Sequence, residues 1–397
     1  MLKQKFYDTH ENNLSQKNEL EAFPEPLSLY THIPFCKAKC HYCDFISFEN
    51  NENFENYTNS LINEICLKAP KYASFSVRTV FIGGGTPTIL PTKMLKKIID
   101  AVFANFNIEN DVEITVEANP GTLSHEMLRV LKIIGVNRLS IGLQAVQNKL
   151  LRTIGRIHTV EEFTQNFRQA RELGFDNINI DIMFALPTQT LEDWRQTLEF
   201  VVNLQPEHIS AYGLIMEEGT KLSRAYANGH FSPCAETDEL AMFDVARQIL
   251  PDAGYSHYEI SNFARDTYQC RHNLTYWHAE QYLGLGLAAH SFVGGRRFRN
   301  TENLAEYLTR QGTNKDYDEV SLTEKEAISE YMFMNLRLLN GVDVAVFKAK
   351  FGKDVLNIFG EEIAQLTKIG LLEADCEKIR LTKQGIYLSN QVFEKFL

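Results

Sequence analysis

The chain has 397 residues, 44% of them hydrophobic and 11% aromatic, enough for a sizeable core and about two domains. Its formal net charge is −11, and its basic residues cluster no further than Arg296-Arg297-Phe298-Arg299, which argues against nucleic acid as a main partner. The cysteine count is odd, at seven, no apolar signal core opens the chain, and no run reaches the ~20 apolar residues of a membrane span, so a disulfide-framed secreted protein and a membrane protein are both excluded as expectations. A soluble, cytoplasmic protein is the expectation.

Residues 1–26 read as a polar extension. Leu27 to Ile33 alternates like a strand and runs into a cysteine-rich loop. An amphipathic helix follows over about 53–68. Thr79-Val80-Phe81-Ile82 is a second strand, ending in Gly83-Gly84-Gly85-Thr86-Pro87, and 91–106 reads as a helix with Thr92 as its cap. The rhythm recurs: strand 112–117 and helix 124–134 capped by Ser124; strand 138–142 and helix 159–173; strand 177–182 and helix 190–204; strand 208–212. Six β/α units in series predict a parallel sheet, curved into a partial TIM-like (β/α)6 barrel over 27–225.

Beyond Thr220 the rhythm stops. The sequence predicts a helix over 236–250, a strand over 255–260 and a helix over 324–339. A helix–helix–ribbon pattern follows, through Gly370-Leu371-Leu372-Glu373 and Ile379-Arg380-Leu381-Thr382. Residues 226–397 are therefore expected to form a C-terminal α+β domain with a winged-helix-like end. With this acidic balance it reads as a lid or a scaffold, not a DNA reader.

The stretch from Thr31 to Phe45 carries Cys36, Cys40 and Cys43 in the spacing C-x3-C-x2-C. Three soft thiolates suit an iron–sulfur cube with one iron left open. A structural zinc site needs a fourth ligand, which His41 could supply, although it is wedged between two of the cysteines. His32, close by, reads as support for the loop.

Active sites of such barrels gather at the C-terminal ends of the strands. The cysteine loop follows strand one and the triple glycine strand two; Glu117, Gln144, Asp181 and Tyr212 lie at or near the ends of strands three to six. A lone Glu at a strand end is more often a solvated rim residue. Six polar features on one rim make a site.

The cysteine spacing and the glycine motif resemble the radical S-adenosylmethionine (SAM) superfamily. The resemblance implies a [4Fe–4S] cluster on Cys36, Cys40 and Cys43. Its open iron would hold SAM, and its electron would release a 5′-deoxyadenosyl radical. It also implies an electron donor such as flavodoxin or ferredoxin.

From Tyr30-Thr31-His32-Ile33-Pro34-Phe35 through Gly142-Leu143-Gln144 and 179–187 to the His272–Trp277 segment, the chain resembles the oxygen-independent coproporphyrinogen III oxidase family. By that likeness Tyr30, Gly84, Glu117 and Ile215 would contact the cluster-bound SAM. Tyr42, Gly85, Thr86, Gln144, Arg156 and Asp181 match positions lining a second SAM site, and Arg156 could pair with a carboxylate of SAM or of a porphyrin. On this reading Gly84→Val blocks the methionine end of SAM and leaves the cluster intact.

One position departs from the oxidase pattern. The oxidases carry a further cysteine two residues after the third ligand, and here Phe45 stands there. Cys-Asp-Phe, with His272-Asn273-Leu274-Thr275-Tyr276-Trp277 and the 282–291 segment, resembles the HemW haem-chaperone branch. That branch implies haem binding and transfer to an acceptor protein. His272, His278 and His290 are the candidate axial ligands, though each is more often a hydrogen-bonded structural histidine. The competing readings are oxidative decarboxylation of coproporphyrinogen III and a radical SAM methyltransferase or ring-opening enzyme acting on haem.

Overall fold

The structure is a computed structural model that describes residues 24–49, 51–313 and 316–397. Most of the expected N-terminal extension, residues 1–23, lies outside the described residues. The α/β architecture is as the sequence predicts. Six strands, β1 (Glu25–Ile33), β2 (Phe75–Gly84), β3 (Ile108–Ala118), β4 (Arg138–Gln144), β5 (Ile178–Phe184) and β6 (His208–Gly213), pair in parallel in sequence order. Helices α1 (Phe54–Lys68), α2 (Thr92–Asn105), α3 (His125–Ile133), α4 (Asn148–Thr153), α5 (Val160–Glu172) and α6 (Leu191–Leu204) supply the crossovers.

Local chemistry sets these boundaries. Ser124 caps α3 by accepting from Met127 N–H, and Thr159 and Thr190 form capping boxes with Glu162 and Asp193. Thr92 does not cap α2. It is the first helical residue, preceded by Pro91 in an extended conformation, and no side chain caps that end. The apolar faces of the helices close over the sheet, with Leu95, Ile98, Ile99 and Val102 of α2 and Trp194, Leu198 and Val201 of α6 all buried.

The sheet does not end at six strands, as the sequence rhythm suggested. On one edge β7 (Ser256–Glu259) and β8 (Asn262–Ala264) continue it, with β8 antiparallel to β6. On the other edge β9 (Tyr282–Leu285) lies parallel to β1. Beyond it come β10 (His290–Val293), β11 (Arg296–Arg299) and β12 (Tyr317–Ser321), each antiparallel to its neighbour. The result is one twelve-stranded sheet. The sequence predicts β7, over 255–260, but the other added strands are three to five residues long and β9 carries a glycine, so they give no alternation to read.

One apolar core runs from Leu27 to Tyr307 across the sheet and its helices. A second, from Ile328 to Phe396, lies in the C-terminal region. There helices 324–335, 344–351 and 355–368 accompany a three-stranded antiparallel ribbon, the winged-helix-like order expected. Among the described residues no helix is long and apolar enough to cross a membrane.

Candidate functional site

The C-terminal ends of β1 to β6 open onto a cavity of about 480 Å³. The cysteine loop forms its lip. Phe35, buried against Phe54 and Tyr57 of α1 at 4.8 and 5.3 Å, anchors the loop's first turn. Backbone bonds close the base, Cys36 N–H to Phe48 O at 3.0 Å and Phe48 N–H to Pro34 O at 2.9 Å. His41 faces away from the thiols. Its Nδ1 pairs with Thr153 O at 3.0 Å and its N–H donates to Ile154 O at 2.9 Å, clamping the loop to α4. Among the described residues no three His, Cys, Asp or Glu side chains converge on a single point. Ligands of a cube bind different irons and need not meet at a point.

The glycine motif is zipped to the same loop. Gly85 N–H donates to Ile33 O at 2.9 Å and Thr86 N–H to Phe35 O at 2.7 Å. Gly84 has φ +107°, a conformation that favours glycine. A Cβ there would meet the ring of His32 at 2.5 Å rather than stand in the cavity. Gly84→Val would therefore disturb His32, which pairs with Tyr30 Oη at 2.9 Å and with Ile46 O at 3.2 Å. The expectation of an untouched cysteine loop is corrected accordingly.

Opposite stand the strand ends. Glu117 accepts from Gly84 N–H at 3.0 Å. Arg138, Ser140, Gly142 and Gln144 of β4 line the wall with Asn179 and Asp181 of β5 and Ser210 and Tyr212 of β6. Asn179 bridges this floor, donating to Ser140 Oγ and Asp181 Oδ1, both at 2.8 Å, and accepting from Ser210 Oγ at 3.1 Å.

Of the residues singled out by sequence, Cys36, Cys40, Cys43, Tyr42, Gly84, Gly85, Glu117, Gln144, Arg156 and Asp181 all line this cavity. Thr86 sits just behind, against Cys36. Tyr30 stacks behind Phe81. Ile215 lies past β6, 70% exposed, and does not line the cavity. His272 is buried, with Thr79 Oγ1 on Nδ1 at 2.7 Å and Tyr276 Oη on Nε2 at 2.9 Å, and burial pushes it down to about 3. With both ring nitrogens engaged it is not free to ligate iron. His278 is exposed, with Nδ1 3.3 Å from Asn335 Oδ1, and His290 opens β10, also exposed.

The reading of the sequence missed Asn119, Arg138, Ser140 and Ser210. For Arg138, Ser140 and Ser210 the signal was polar residues at every second position of strands otherwise apolar; Asn119, past the end of β3, carried none.

Burial, then the nearby Asp181 carboxylate, pushes Glu117 up to about 8. Gly84 N–H and Arg138 pull the other way. The folded chain thus keeps a proton that the unfolded chain releases near its ordinary value of 4.5. A penalty on the folded state, absent below pH 4.5, grows as pH rises and is complete above about 8. Glu117→Gln is expected to raise the melting temperature of the ligand-free chain at pH 8 and leave it unchanged at pH 4.5. An equal gain at both would assign the titration elsewhere.

The donor set fits a cluster and a polar ligand. Burial raises Cys36, and pushes Cys43 up to about 11, so both stay thiols until a metal draws off the proton. Beside them Gln144 Oε1 and Arg156 Nε are buried with no protein partner.

The Radical SAM superfamily model matches residues 30–201, and that of the HemN C-terminal domain residues 322–388. The chain is 38% identical to the heme chaperone HemW of Lactococcus lactis subsp. lactis, over 94% of this chain and 98% of that one. The chain belongs to the HemW family. The HemW of Escherichia coli is 35% identical, over 94% and 98% of the two chains. Among solved structures, the E. coli coproporphyrinogen III oxidase HemN, described as a radical SAM enzyme, superposes with a TM-score of 0.82 at 26% identity, covering 94% of this chain and 91% of that one. The chain thus carries a radical SAM domain, the kind that holds a [4Fe–4S] cluster and SAM.

Proposed function

We propose that this chain binds haem alongside its [4Fe–4S] cluster and SAM, and hands haem to an acceptor protein without decarboxylating coproporphyrinogen III. Near-full-length identity to proteins named heme chaperones carries this reading. Phe45 supports it: the side chain is 61% exposed at the cavity lip, where the oxidase pattern has a cysteine. A phenyl ring neither donates a proton nor ligates a metal.

In this reading Cys36, Cys40 and Cys43 hold the cluster. Glu117 and the Gly84–Gly85 backbone receive the amino group of SAM, its cationic charge replacing the proton on Glu117. Tyr30 steadies that wall through His32, while Ile215 stands outside the cavity, exposed past β6. The remaining donors of Arg156 and the amide of Gln144 meet a carboxylate, with Tyr42, Thr86 and Asp181 around them. When bound, the cluster and SAM supply one-electron cleavage of the sulfonium, with the electron drawn from a flavodoxin- or ferredoxin-like donor. Of the three candidate haem ligands, the exposed His278 and His290 remain. Seven unpaired cysteines suit a reducing cytoplasm.

The test is anaerobic incubation of the reconstituted chain, with SAM and reductant, separately with haem and with coproporphyrinogen III. Saturable haem binding near one per chain and no protoporphyrinogen by chromatography are expected. Catalytic turnover of coproporphyrinogen III would overturn the chaperone reading in favour of the oxidase.

A further inference from the structure

Two of the three cluster thiols face a side-chain hydrogen-bond donor, and a single amide holds both donors. Thr86 Oγ1 lies 3.7 Å from Cys36 Sγ, and Arg156 Nη1 lies 3.5 Å from Cys40 Sγ. Asn119, the first residue past β3, joins them. Its Nδ2 donates to Thr86 Oγ1 at 2.7 Å, and its Oδ1 accepts from Arg156 Nη2 at 2.6 Å.

The arrangement leaves little freedom. Because Thr86 Oγ1 accepts from Asn119, its own proton is left to point at sulfur. Arg156 Nη2 spends its second proton on Gly142 O at 2.6 Å, which fixes the guanidinium plane and turns Nη1 toward Cys40. The Ser47 hydroxyl also faces Cys36, and Cys43 meets the backbone N–H of Phe45 instead.

Such a bridge costs ordered polar groups at a half-buried site, and loop architecture alone does not require it. The loop base is already closed by the backbone bonds between Cys36, Phe48 and Pro34. What a hydrogen bond or a cation at a ligating sulfur does is stabilise the extra electron of a reduced cluster.

We propose that the Thr86–Asn119–Arg156 bridge raises the reduction potential of the cluster held by Cys36, Cys40 and Cys43, with Asn119 as the positioning residue that aims both donors. The inference rests on the reading that these three cysteines hold a [4Fe–4S] cluster. Its function would be to let a mild physiological donor reduce the cluster. Asn119 never touches the cluster itself; it acts through Thr86 and Arg156.

The test uses the full chain, reconstituted anaerobically without SAM, so that no ligand contact contributes. Iron content is measured first, and the midpoint potential then follows from a redox titration read by the electron paramagnetic resonance signal of the reduced cluster. Asn119→Ala and Thr86→Val are each expected to hold full iron and to be about tenfold less reduced at the wild-type midpoint, which is ~59 mV for a one-electron couple. Thr86→Ser, which keeps the hydroxyl, is expected to keep the wild-type potential.

Full iron and an unshifted potential in Thr86→Val would overturn the proposal. So would an Asn119→Ala chain that loses its cluster while Thr86→Val stays at the wild-type potential, because the bridge would then be structural only. A wild-type chain that takes up no cluster would instead overturn the cluster assignment on which the proposal rests.

Discussion

Replacing Cys36, Cys40 and Cys43 together with alanine is expected to leave a folded chain that takes up no cluster. The three side chains are half-buried and belong to none of the apolar clusters. Main-chain bonds that use no sulfur hold the loop: Cys36 to Phe48, Phe48 to Pro34 and His41 to Ile154. The side-chain bonds lost are those from Thr86, Ser47 and Arg156, each worth about 1 kcal/mol against a far larger whole. Melting should therefore shift little, while the brown iron–sulfur absorbance disappears. Retention of about four irons per chain after anaerobic reconstitution of the triple variant would sink the assignment.

Gly85→Ala is expected to damage both loops with one methyl group. A Cβ at this position would meet Phe35 O at 2.5 Å, Phe35 N at 2.8 Å and Ile33 O at 2.9 Å. All three are backbone atoms, so no rotamer change relieves the contact. The two loops must part, and the bonds from Gly85 N–H to Ile33 O and from Thr86 N–H to Phe35 O stretch with them. Overfilling of this kind costs about 1–3 kcal/mol. The displacement falls on Phe35, directly before the first cluster cysteine. Cluster occupancy and SAM affinity are expected to fall together, the latter by about tenfold or more. Iron analysis with isothermal titration of SAM checks this; unchanged values for both would show that the loops part without cost to the site.

The contrast between Gly84 and Gly85 shows where a sequence stops being readable. A glycine triplet after a strand announces a close approach, and β2 does end at Gly84. What each missing side chain makes room for depends on partners far away in the chain. At Gly84 the space belongs to His32, and at Gly85 to the backbone of Phe35. The six parallel strands were legible because each is a run rich in apolar residues and the first five are each followed by an amphipathic helix. Strand β9 was not, since Tyr282-Leu283-Gly284-Leu285 has no period and only its pairing with β1 makes it a strand. Likewise the three cysteines announce their metal by spacing alone. Asn119 looks like any turn residue until Thr86 and Arg156 are seen on either side of it.

The place of β9 beside β1 also bears on the order in which the chain is made. The cysteine loop is synthesised about 240 residues ahead of β9, so the strand that carries it lacks its outer neighbour until residues 282–285 follow. The Ser28–Thr275 hydroxyl pair at 2.8 Å spans 247 residues of the same gap. At ~5–20 residues per second the delay is on the order of ten to fifty seconds. During that interval the thiols sit on a half-paired edge. A fragment ending before Tyr282 would therefore carry the cysteine loop on a strand paired along one edge only.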